Sequence, residues 1–169
     1  SQLGKGPEEV GTNRQSYPFS LRMYMPEGAQ WCSEFVSWAY RAGGFPLTEG
    51  REEGGWMLWT NIRLKRWFQR NARFYSRTDP YWESASPQPG DFIRYENGKG
   101  GHSGLIVEAT GSNLTTIEGN VGNKVRRLHI RNWRKDKRID GIGIRSGYLY
   151  PSARALQAST GNSPTESSP

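Results

Sequence analysis

The chain has 169 residues and a single cysteine, and its 23 Lys and Arg against 16 Asp and Glu leave a net charge of +7 at pH 7. The length suits one domain whose core needs no staple. One cysteine excludes an internal disulfide, and the lack of any run of 18 apolar residues excludes a membrane-spanning helix. A basic chain is drawn to polyanions, whether nucleic acid, anionic lipid or an anionic cell wall, and charge alone does not choose among them.

Residues 1 to about 14 are polar and Gly-rich and read as a loose start, and Ser1 to Gly6 contains no apolar signal region. Tyr17 to Met25 is a short apolar segment, helical or irregular. From Trp31 to Ala42 the pattern is helical. Cys32, Phe35, Val36, Ala39 and Tyr40 share one face, and Arg41 with Gly43-Gly44 closes the end. Phe45 to Gly55 is a loop. A second helix is predicted from Met57 to Asn71, with Leu58, Ile62, Leu64, Trp67 and Phe68 on its apolar side. Its other side carries Arg63, Lys65, Arg66 and Arg70, which reads as a solvated face.

Phe74 to Gly90 holds Pro80, Pro87 and Pro89 and reads as a connector. Strands are then predicted at Asp91–Tyr95, Ser103–Ala109, Leu114–Glu118, Val125–Arg131 and Gly141–Tyr150, with Gly-rich turns between. Helices first and strands later give an α+β class, with N-terminal helices packed on an antiparallel meander of about five strands. The tail from Pro151 to Pro169 is rich in Ser, Ala, Thr and Pro and reads as disordered.

A lone cysteine is either an inert core thiol or a reactive one. Cys32 belongs to a first helical turn, where the macrodipole favours the thiolate. His102 opens a strand in a Gly-rich setting and suits a general base, or is a plain turn histidine. His129 lies mid-strand and reads as an ordinary cross-strand residue. Glu118 ends a strand and can orient a neighbouring imidazole; the amide oxygen of Asn120 could do the same. Helix packed on sheet would let thiol, imidazole and carboxylate converge as nucleophile, base and orienter. The backbone N–H of Cys32 is a candidate oxyanion donor. The side-chain amide of Gln30 is a second, and Trp31 and Gly101 flank the same point. One cysteine and two distant histidines match no zinc-ligand spacing.

Trp31-Cys32-Ser33-Glu34-Phe35, Pro89-Gly90-Asp91-Phe92-Ile93, Gly101-His102-Ser103-Gly104 and Thr116-Ile117-Glu118-Gly119-Asn120 resemble, in this order, the CHAP family of cysteine, histidine-dependent amidohydrolases/peptidases. Glu9 to Arg14 and Gly141 to Arg145 look like its lead-in and close, so the resemblance spans residues 8–150, with residues 1–7 and 151–169 expected as disordered termini. It departs from the family pattern in Ser33-Glu34-Phe35, where many members carry Ala-Asp-Phe.

The resemblance implies a papain-like fold that cuts peptidoglycan amide bonds. Cys32 would be the nucleophile, His102 the base and Glu118 the orienter, with Asn120 assisting. It implies no cofactor, no metal and no nucleic-acid partner. It places the action at the bacterial cell wall, periplasmic or extracellular. N-acetylmuramoyl-L-alanine amidase and endopeptidase both stay open. So do wall remodelling, phage lysis as a lysin, and delivery as an antibacterial effector, the last with an immunity or inhibitor protein as partner. Two alternatives stand beside it: an amidase on a small soluble amide, and a non-catalytic basic binding module.

Overall fold

The computed structural model describes residues 30–48 and 55–145. The Tyr17–Met25 segment, the Glu9–Arg14 lead-in, both terminal stretches and most of the acidic loop lie outside the described residues. The elements are helices α1 (Cys32–Ala42) and α2 (Asn61–Asn71) and strands β1 (Arg73–Ser76), β2 (Phe92–Tyr95), β3 (His102–Thr110), β4 (Asn113–Glu118), β5 (Arg126–Ile130) and β6 (Ile139–Ile144). Single 3-10 turns occupy Trp82–Ser84 and Trp133–Lys135.

α1 ends as its glycines predict. Gly44 takes φ +80°, the Gly44 N–H reaches the Arg41 carbonyl at 3.0 Å, and the Phe45 N–H reaches the Tyr40 carbonyl at 2.8 Å. This paired closure is the Schellman motif. Phe35, Val36 and Tyr40 are buried as expected, but so are Ser33, Glu34 and Ser37. The helix is enclosed on more than one side because the chain ahead of α2 lies against it. There Ser37 Oγ accepts from the Leu58 N–H at 3.1 Å.

α2 starts at Asn61, four residues later than its sequence suggests. Thr60 is extended and its side chain accepts the Arg63 N–H, so it is the N-cap that sets the start. Met57 and Leu58 are buried ahead of the helix, whereas Ile62 is 44% exposed and off the apolar face. Leu64, Trp67 and Phe68 make that face.

The sheet has six strands in the order β1-β6-β2-β3-β4-β5, all antiparallel. Two findings differ from a five-stranded meander. Residues 73–76 of the stretch around the expected connector form an edge strand on β6. And β6 does not follow β5: it returns to lie between β1 and β2. Alternation splits the core between the two faces. Phe92 packs with Val36, Tyr40 and Phe68 under the helices, and Phe68 and Phe92 stack at 4.9 Å. Ile93, Ile106 and Ile142 pack with Trp82 and Trp133 on the other face. Gly143 leaves room for Phe68, since a Cβ there would stand 2.5 Å from its Cγ. No helix among the described residues is long and apolar enough to cross a membrane.

Candidate active site

Cys32 is the first residue of α1 and is 4% exposed. Its helix packs on β3, the strand that His102 opens. His102 Nε2 lies 2.8 Å from Glu118 Oε2 at the end of neighbouring β4. With Nε2 taken, the ring nitrogen left for the sulfur is Nδ1, and the charges of imidazole and thiol act on each other. Glu118 is buried and held from behind: its Oε1 accepts the Tyr95 hydroxyl and the Thr116 hydroxyl, each at 2.6 Å. Tyr95 also stacks on the His102 ring, 5.7 Å between centroids, because β2–β3 register sets the two opposite each other.

The glycines of the motif have steric reasons. A Cβ on Gly104 would stand 2.5 Å from Glu118 Cγ, so the carboxylate fits only over a bare backbone. Gly101 combines φ +84° with a backbone approach that puts a Cβ 2.7 Å from the Tyr95 carbonyl oxygen.

The electrostatics couple the pair. Burial opposes the Cys32 thiolate, but the hydrogen bond and charge of His102, with the Asn61 amide, outweigh it and hold the thiol below its ordinary value. Burial likewise opposes the His102 imidazolium, yet hydrogen bonds and charge from Cys32 and Glu118 push it up to about 9. Between those two pKa values sulfur and ring carry opposite charges. Such a pair can attack a carbonyl and then protonate an amine.

A cleft of about 650 Å³ opens over this point, lined by Gln30, Cys32, Asn61, Lys99, Gly101 and Asn120 among others. The structure therefore brings together Cys32, His102, Glu118, Gln30, Gly101 and Asn120. Asn120 turns its amide to Gln30, donating to Oε1 at 2.8 Å. It does not bring in the Trp31 side chain, which is fully buried, packs edge-on to Phe35 and donates to Asn123 Oδ1 at 3.0 Å. His129 is exposed and pairs across strands with Thr115 at 3.1 Å, as an ordinary cross-strand residue would.

Sequence reasoning missed Asn61, Tyr95 and Thr116. Thr60 as a helix cap was the one local signal for Asn61. Tyr95 and Thr116 depend on strand register. Ser103 Oγ, buried near the thiol, makes no hydrogen bond. Among the described residues no group of three or more His, Cys, Asp or Glu side chains converges to hold a metal ion.

A family model described as the CHAP domain matches residues 24–120, more than half of the chain. Comparison with curated proteins and with solved structures returned no match.

Proposed function

The chain belongs to the CHAP family, whose domains act on peptidoglycan amide bonds, and from that membership we propose that it hydrolyses an amide of the peptide stem through a thioester on Cys32. The observation that carries the reading is the 2.8 Å contact between His102 Nε2 and Glu118 Oε2. It leaves the other ring nitrogen to a buried thiol at a helix start.

In the proposed sequence the Cys32 thiolate adds to the scissile carbonyl carbon. The carbonyl π electrons move to oxygen, facing the Cys32 backbone N–H with the Gln30 side chain at the cleft rim. Collapse breaks the C–N bond, and the His102 imidazolium gives its proton to the departing amine. Neutral His102 then takes a proton from water, the hydroxide adds to the thioester, and collapse returns the thiolate and a carboxylic acid. Glu118 holds the ring direction throughout. The CHAP match ends at Asn120, but β6 pairs with β2 in mid-sheet. The unit therefore reaches beyond the match to Ile144 at least, and we propose residues 8–150 for it from the sequence resemblance at Glu9 to Arg14 and Gly141 to Arg145.

Purified sacculi treated with the protein and with Cys32→Ala test the reading. Clearing by the wild type alone is expected, and equal clearing by both would sink it. Mass spectrometry of the released fragments then separates an N-acetylmuramoyl-L-alanine amidase, which frees whole stems, from an endopeptidase, which cuts within them. Release of soluble amide products without attack on sacculi would favour a small-amide amidase instead.

A further inference from the structure

We propose that Asn61 is a fourth member of the site, a residue that holds the Cys32 sulfur as thiolate by donating a side-chain hydrogen bond to it. This rests on the reading of Cys32 as nucleophile. Asn61 is 7% exposed, and its Nδ2 lies 3.6 Å from Cys32 Sγ and 3.4 Å from the Gly100 carbonyl oxygen. Both neighbours accept, so the amide nitrogen belongs on this side; a flipped amide would set its oxygen against a carbonyl and a thiolate. Oδ1 stands further from the sulfur, at 4.0 Å. The arrangement thus offers a donor to the anion more readily than an acceptor to a neutral thiol.

The backbone of Asn61 is fixed as the first residue of α2 behind the Thr60 cap. A short side chain there loses little freedom in aiming at the sulfur. Its second bond, to Gly100, ties it to the loop that leads into Gly101 and His102. The nucleophile and the loop carrying the base therefore share one amide. The titratable and charged groups that face Cys32 are His102 from β3 and Glu34 on its own helix, and Lys99 lines the same cleft. Asn61 is the neutral group that reaches the sulfur from α2.

The test is the rate of Cys32 alkylation by iodoacetamide from pH 5 to 10 in the wild type, Asn61→Ala and Asn61→Asp, with a thermal melt of each. The thiol midpoint should rise in Asn61→Ala, slowing alkylation at pH 6 by about 3- to 10-fold while the high-pH plateau is kept. Asn61→Asp should move it further, because a carboxylate then faces the sulfur. Asp is isosteric and suits a helix N-terminus, so this variant reports even where Asn61→Ala melts early. Superimposable profiles for the folded variants and the wild type would overturn the proposal. A wild-type midpoint at the ordinary thiol value would overturn the reading of Cys32 itself, and this proposal with it.

Discussion

Glu34 sits two residues after Cys32, is 2% exposed, and its Oε2 has no hydrogen-bond partner. Burial pushes its carboxyl up from 4.5 to about 8, partly offset by a backbone N–H and aided by the charge of Cys32. A folded-state pKa above the unfolded one means that the native protein binds the extra proton between those values. Its stability therefore falls as pH rises through that window. The perturbation is Glu34→Gln in a Cys32→Ser background, which removes the one side-chain charge that Glu34 feels. Burying the Gln amide carries its own penalty, but that penalty does not change with pH. The slope of the stability difference therefore isolates the carboxyl.

From pH 5 to pH 8 the Glu protein should lose about 3 kcal/mol relative to the Gln protein if the site stays dry, and about 1 kcal/mol if water reaches it on ionisation. Urea unfolding at four pH values across that range, followed by tryptophan fluorescence, measures it. A difference that stays flat from pH 5 to 8 would refute the reasoning.

Activity on sacculi should follow a bell: rising through a thiol pKa below the usual thiol range, and falling near pH 9 as His102 loses its proton. Stopped assays across pH 5 to 10 read both limbs, and a single rise centred on an ordinary thiol pKa would contradict it. Tyr95→Phe removes one of the two hydroxyls held by Glu118 Oε1 and should lower kcat about 10-fold with little change in KM. A KM effect alone would speak against an orienting role. Gly104→Ala places a methyl against Glu118 and should abolish rapid Cys32 alkylation near neutral pH in whatever fraction remains folded, as read by mass spectrometry beside a circular dichroism melt.

The α+β class, α1 and its closing glycines were legible because each rests on local spacing: apolar residues at helical intervals, then Gly43-Gly44. Cys32, His102 and Glu118 were legible because each sits at the end of an element that local patterns mark. Edge strand β1 was not, since only Phe74 and Tyr75 of its four residues are apolar and prolines follow closely. Its pairing with Gly141 to Ile144 is a long-range fact. The burial of Ser37 was hidden for the same reason: its partner is a backbone group at Leu58, not a neighbour on the helix. Asn61 touches a sulfur far back in the chain, and nothing in Thr60-Asn61-Ile62 announces that contact.

The return of β6 between β1 and β2 has a consequence for the order of events during synthesis. Cys32, His102 and Glu118 all emerge from the ribosome before residues 139–144 do. Yet α2, which carries Asn61 to the sulfur, packs on β1 and β6 together. Until that last strand slots in, β1 has no sheet partner among the described residues and α2 has lost much of its floor. A chain stopped before residue 139 would hold the thiol, the imidazole and the carboxylate on α1, β3 and β4, but without the floor under α2 and Asn61. The site is thus framed by the whole sheet, including a strand that lies beyond the segment carrying its three residues.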